Sequence, residues 1–156
     1  MDSGERAGFE LPLLLVGAFR SLIDELHRWL AEGGHREARP LHGFALQAIG
    51  PHGCTTSELG RQLGVSKQAA AKTVAGLEQV GYVSREPDPE DGRAVRVLRT
   101  ARGEEMLALS AVFFETYRAR LAEALGPRRL AEFEDDLEQM AAPSLDRLRG
   151  FPGWLA

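Results

Sequence analysis

The chain has 156 residues, 44% hydrophobic and 27% charged, with a formal net charge of −4, enough for one compact domain or two small lobes sharing helices and excluding a disordered tail. Its longest apolar run, Leu11 to Ala18, contains Pro12 and is too short to cross a bilayer. The acidic N-terminus lacks the basic start of a signal peptide, so a cytoplasmic chain is expected. The single cysteine, Cys54, fits a reducing compartment and has no partner for an intrachain disulfide.

Residues 1–8 are polar. From Phe9 to Glu32 the apolar residues Leu11, Leu14, Leu15, Ala18, Phe19, Leu22, Leu26, Trp29 and Leu30 keep helical spacing, with Pro12 tolerable in the first turn and Gly33-Gly34 as terminator. This helix is apolar on more than one stripe, so one face can cover its own lobe while another meets a partner. Pro40 to Ile49 reads as a second helix ending at Gly50-Pro51, after which Cys54 enters a short strand or turn.

Thr55 to Tyr82 predicts two short helices joined by a glycine turn. Thr55 and Glu58 form a T-x-x-E capping box, Leu59 and Leu63 supply a buried face, and Gly64 stops the first helix. Ser66 stands where an N-cap is wanted, and Ala70, Val74 and Leu77 recur at spacings of four and three. The opposite face carries Lys67, Gln68, Ala71, Lys72, Ala75 and Gln79. Small and polar residues there allow close approach to a major groove, with amide and ammonium groups reaching base edges or phosphates. An ordinary helical hairpin with a solvated face fits the same stretch taken alone.

The segment from Tyr82 to Leu98 favours the DNA reading. Tyr82 to Glu86 predicts a strand, Pro87 to Gly92 a turn-rich tip, and Arg93 to Leu98 a returning strand, which together make a wing. Alternation places Arg93, Val95 and Val97 on one side, so the valines are expected to pack inward while Arg96 stays in solvent. A guanidinium at the Arg93 tip suits a narrow minor groove, and Asp91 is expected to hold that side chain extended through a bidentate pair. A plain solvated hairpin is the alternative for the tip. Thr100 then caps a long helix to about Leu125, Gly126-Pro127 breaks it, and a last helix comes next that Pro143 should kink or split.

Charge is unevenly spread. Residues 55–103 carry eight basic and six acidic side chains, whereas 1–54 carry five and seven, and 104–156 carry six and ten. The only positive segment is the proposed reader, and the chain's two lysines, Lys67 and Lys72, both fall in its second helix. That placement agrees with phosphate contact.

The succession LHGFALQAI, TTSELGRQLGVSKQAAAKTVAGLEQVGYVSREPDPEDGRAVRV and Thr100-x-x-Gly103 resembles the MarR family of winged-helix transcriptional regulators over residues 40 to 103. The resemblance implies a mainly α fold with a small β-wing: a dimerisation helix in 1–37, a winged helix-turn-helix lobe in 38–100 and dimerisation helices in 101–156. It further implies a homodimer on a pseudo-palindromic double-stranded operator, acting as a repressor released by a small aromatic or phenolic effector. Residues expected at DNA are Thr56, Ser57, Ser66, Lys67, Gln68, Ala71, Lys72, Arg93 and Arg96, with Asp91 supporting the wing. The effector cavity is expected where dimer helices meet the lobe, with Phe19, Trp29, His42, Phe44, Met106 and Phe113 as lining candidates that would serve equally as core. Three positions depart from the family pattern. Ala69, Ala70 and Ala71 stand where hydroxylic or β-branched residues are frequent, Gly92 replaces a frequent arginine, and Arg99 replaces a leucine before the threonine.

No phosphate loop, nucleophile elbow or metalloprotease motif is present, so no enzyme, catalytic residue or cofactor is expected. His27, His35, His42 and His52 lie at spacings of eight, seven and ten, which match no metal-ligand pattern. Cys54 reads as a small buried residue rather than a redox switch. The competing functional reading is an effector-binding or protein-interaction module that keeps the scaffold and has lost DNA reading; the alanine triplet and acidic tip favour it, and Ser66, Lys67, Lys72 and Arg93 oppose it.

Overall fold

A computed structural model describes residues 6–149, in six helices and three strands. In chain order these are α1 (Glu10–Glu32), α2 (Pro40–Ile49), β1 (Cys54–Thr55), α3 (Thr56–Leu63), α4 (Lys67–Gln79), β2 (Val83–Pro87), β3 (Val95–Arg99), α5 (Ala101–Leu125) and α6 (Pro127–Arg149). The fold is mainly helical with one small sheet. Contacts divide the chain into two units, Met1–Ala38 and Arg39–Ala156, so α5 and α6 group with the lobe.

In the first unit, α1 runs for 23 residues and stops where Gly33 N–H returns to the Trp29 carbonyl at 3.1 Å and His35 N–H to the Leu30 carbonyl at 2.7 Å. Leu26 and Leu30 are buried, whereas Phe9, Leu11, Leu13, Leu14, Leu15, Val16 and Phe19 at its N-terminal end all face solvent.

The second unit is built on the apolar stripes of short helices closed by an antiparallel sheet of order β1-β3-β2. Val83 lies opposite Arg99 and Pro87 opposite Val95, while Cys54 lies opposite Val97. Leu46, Ile49, Leu59, Val74, Leu77, Tyr82, Val97, Met106 and Leu130 form its core, each at most 2% exposed. The Thr100 hydroxyl accepts the Gly103 N–H at 3.1 Å and donates to the Gly81 carbonyl, so one side chain caps α5 and ties it to the end of α4. Gly103 lies against the Tyr82 carbonyl, leaving no room for a Cβ. The T-x-x-G spacing is therefore a cap followed, one turn on, by a close helix–strand approach.

Arg99 is the most deeply engaged cation of this unit. Its side chain is only 6% exposed, yet it donates to the Leu46 carbonyl at 2.8 Å, to Gln47 Oε1 at 3.3 Å and to Glu104 Oε1 at 3.3 Å. The Leu46 carbonyl in the last turn of α2 also accepts the Gly50 N–H at 3.1 Å, and the negative end of the helix favours a cation beside its second lone pair, so the arginine in place of leucine leaves the strand register regular and joins α2, β3 and α5. On α6, Pro143 lies inside one continuous helical span and does not split it. The carbonyl of Gln139, which the proline cannot serve, belongs to an exposed residue open to water, and Arg149 pairs with Glu138 across the site at 2.7 Å. Arg118 clamps Glu134 with two bonds of 2.7 and 2.8 Å, joining α5 to α6.

Candidate nucleic-acid interface

The helix-turn-helix begins at a complete capping box. Thr55 Oγ1 accepts the Glu58 N–H at 3.2 Å, and Glu58 Oε2 accepts the Thr55 N–H at 2.7 Å. That backbone bond holds the Glu58 carboxyl below its ordinary value, with the Thr55 hydroxyl and the charges of Arg96 and Arg61 adding to it against the opposing effect of burial. Gly64 ends α3 in the left-handed region at φ 68°, which costs a residue with a Cβ extra energy. The Arg147 guanidinium from α6 lies across its bare Cα.

Ser66 Oγ accepts the Ala69 N–H at 3.1 Å and starts α4, whose inner stripe of Ala70, Val74 and Leu77 is fully buried. Everything else on the first turns is exposed: Ser66, Lys67, Gln68, Ala69, Ala71 and Lys72, while Thr56 and Ser57 at the start of α3 are half-buried. The predicted recognition face is thus assembled on one helix, with methyl groups between its polar ones.

At the wing, three expectations need correction. Asp91 holds the backbone of Arg93, its Oδ1 accepting the Arg93 N–H at 3.1 Å, instead of forming the expected bidentate pair with the guanidinium. A carboxylate two residues before an amide closes an Asx turn at less entropic cost than it fixes a long side chain. Arg93 is therefore exposed with no ion pair among the described residues. Arg96 does not stay in solvent: it donates to the His52 carbonyl at 3.2 Å and the Gly53 carbonyl at 3.1 Å and lies 3.6 Å from Asp88. The turn before β1 carries unpaired carbonyls beside β3, and a guanidinium satisfies two at once. Val97 packs inward as expected, but Val95 is 48% exposed because β3 begins there, at the wing end, before it reaches the core.

The eight basic residues of 55–103 divide by partner in a way that composition conceals. Arg85 pairs with Glu78 at 3.0 Å, Arg96 and Arg99 are bound as above, and Arg102 donates to the Val80 carbonyl with its guanidinium 5.6 Å from the Tyr82 ring. Arg61, Lys67, Lys72 and Arg93 are exposed or half-buried and have no hydrogen-bond or ion-pair partner among the described residues. Arg61 is absent from the residues that sequence places at DNA, since nothing local separates it from the engaged arginines.

The six effector-lining candidates have different surroundings. Phe19 is exposed, Trp29 and Phe44 are half-buried, and Met106 and Phe113 are buried. His42 is buried, accepts the Arg39 N–H on Nδ1 at 3.2 Å and meets the Tyr82 ring edge-on at 5.7 Å. A cleft of about 290 Å³ beside the turn before β1 includes Pro51, His52, Cys54, Arg61, Gln62 and Arg96 and none of the six. Cys54 is buried there, and desolvation, reinforced by the Glu58 charge and opposed by Arg96, pushes its thiol up to about 11. Among the described residues, no three His, Cys, Asp or Glu side chains gather to hold a metal ion, and no helix is long and apolar enough to cross a membrane.

A capped helix pair with a glycine turn, followed directly by a two-stranded wing, defines a winged helix-turn-helix. Residues 40–94 match the model of the MarR family. Over 54 residues the chain is 33% identical to the HTH-type transcriptional regulator BilQ of Clostridioides difficile (strain CD3), a match covering 35% of this chain and 36% of that relative. The crystal structure of MarR is similar with a TM-score of 0.65 at 27% identity, over 87% of this chain and 98% of that one. Streptococcus pneumoniae FabT, solved in complex with DNA, shares the fold with a TM-score of 0.74 at 17% identity, over 90% of this chain and 99% of that one. Residues 40–94 thus match the MarR family, and the chain has the fold of the MarR-family transcription regulators that it resembles.

Proposed function

We propose that this protein is a homodimeric, sequence-specific DNA-binding regulator that represses transcription from a pseudo-palindromic operator. The observation that carries the reading is the set of free cations: Lys67 and Lys72 on the exposed face of α4 and Arg93 at the wing tip, in a chain whose net charge is negative. Ser66, Gln68 and Ala71 share the recognition face and Thr56 and Ser57 open α3, whereas Arg96 supports the wing from behind. FabT, a neighbour in fold, has been solved on DNA, which adds support. Relief of repression by a small aromatic or phenolic effector belongs to the same reading and rests on the family resemblance.

Dimerisation is supported by apolar side chains left in water in each unit, among them Leu13, Val16 and Phe19 in the first and Val112, Phe133 and Met140 in the second. Such surface is seldom left bare on a monomer, and a two-fold dimer presents two recognition helices about 34 Å apart, one turn of duplex.

Fluorescence anisotropy on operator and random duplexes across a salt series tests the proposal. Affinity should fall with a log–log slope of about −0.9 per phosphate neutralised, and Gln68→Ala should relax choice at one base pair by about 1–3 kcal/mol. Equal affinity for every duplex, or indifference to salt, overturns it in favour of a scaffold that has lost DNA reading.

A further inference from the structure

The chain holds seventeen arginines and two lysines. Both lysines lie on α4, Lys67 as its first residue and Lys72 five residues on, and both are exposed without a partner among the described residues. Arginine fills the same electrostatic role everywhere else, but its guanidinium stays protonated and is no nucleophile at neutral pH. An ammonium that sheds its proton is one. Apart from the N-terminal amine, the amines of this chain open to acyl transfer are therefore confined to the surface read as facing DNA. Cys54, the other strong nucleophile, is buried.

We propose that Lys67 and Lys72 form an acylation site that switches off DNA binding, a proposal that rests on the DNA-binding reading above. The acyl donor is an activated small acyl group, either an acyl phosphate or an acyl thioester. Each ε-ammonium gives a proton to water, and the free amine attacks the acyl carbon and forms a C–N bond. The C–O bond to phosphate, or the C–S bond to the thiol, breaks with its electron pair on the departing oxygen or sulfur, and the new amide nitrogen releases its surplus proton to solvent. The products are a neutral amide and free phosphate or thiolate, with no oxidation or reduction.

The effect on charge is disproportionate. Of the eight cations in 55–103, only Arg61, Lys67, Lys72 and Arg93 are free, so acylation removes two of that segment's four free cations. The segment's net charge falls from +2 to zero. Acylation also lengthens two side chains on a face whose Ala69, Ala71 and Ala75 otherwise permit close approach. The core is untouched, because the buried stripe of α4 is Ala70, Val74 and Leu77.

The full chain is incubated with acetyl phosphate in one arm and acetyl-coenzyme A in the other, then mapped by mass spectrometry and titrated against a labelled mixed-sequence duplex at several salt concentrations. Both lysines should be acetylated in at least one arm, which also identifies the effective donor. Affinity should drop at least tenfold, and the salt slope should become shallower by about one per lysine that met a phosphate. In the Lys67→Arg/Lys72→Arg variant neither donor should change the duplex affinity measured before treatment, and duplex added first should suppress acetylation of the wild type. The proposal is overturned if neither lysine reacts in either arm, if the acetylated chain binds as before, or if donor treatment lowers the affinity of the double-arginine variant by as much as it lowers that of the wild type. An unmodified chain that binds no duplex overturns the DNA reading, and the switch with it, before any donor is added.

Discussion

Arginines that look alike in the sequence take opposite roles once their partners are known. Arg93 is free at the tip, so Arg93→Ala should make the salt slope of duplex binding shallower by about one while leaving stability within about 0.5 kcal/mol. Arg96 bonds two carbonyls and neighbours Asp88, so Arg96→Ala should lower unfolding stability by about 1–3 kcal/mol through the loss of two charge-assisted hydrogen bonds. Paired thermal melts and anisotropy separate the two; equal loss of stability in both would refute the assignment. Cys54 is a second case. A buried thiol held at about 11 carries almost no thiolate at neutral pH, so maleimide labelling near pH 7 should be far slower for the folded chain than for the chain in denaturant. Comparable rates would show that the site opens readily.

At the scale of elements, short helices depend on their ends. Thr55→Ala removes the hydroxyl that caps α3 and should cost about 1 kcal/mol, seen as a lower urea midpoint with an unchanged slope. Glu58 has a sign that can be worked out. Its folded carboxyl lies below the usual 4.5 because the Thr55 N–H favours the charged form; the stabilisation is complete above the unfolded value and disappears as pH falls through the lowered one. The gap in melting temperature between wild type and Glu58→Gln should accordingly be present at neutral pH and close in acid, whereas a gap constant with pH would assign the effect to packing. Gly103 marks the start of α5 for a different reason: a Cβ there would press on the Tyr82 carbonyl. Gly103→Ala should cost about 1–3 kcal/mol, the usual range for forcing atoms into a packed site, and differential calorimetry gives the number.

For the whole molecule, the apolar side chains left in water set the expectation. Leu14 is 48% exposed in the first unit and Phe133 is 46% exposed in the second. If these surfaces close a homodimer, Leu14→Glu or Phe133→Glu should shift sedimentation toward monomer and weaken operator binding with it, since one reader cannot span two half-sites. A wild-type chain that sediments as monomer at micromolar concentration would remove the dimer from the reading.

Much of this protein was legible in residue order alone. Capping residues, glycine stops and apolar spacing are local signals, so Thr55, Gly64, Ser66 and Thr100 marked helix ends and Ala70, Val74 and Leu77 marked the buried stripe of α4. The exposed face of α4 came by subtraction. Which cations are free was not legible, because a guanidinium has a long reach and its partners lie far along the chain: Arg96 finds carbonyls 43 and 44 residues away and Arg99 one 53 away. Nor was the role of Asp91, where backbone and side chain of the same arginine competed for one carboxylate. Sequence by itself determined the elements, their order and the exposed face of α4. Only the tertiary structure decided how charge is distributed between holding the lobe together and standing free, since that depends on which carbonyls the fold leaves unsatisfied.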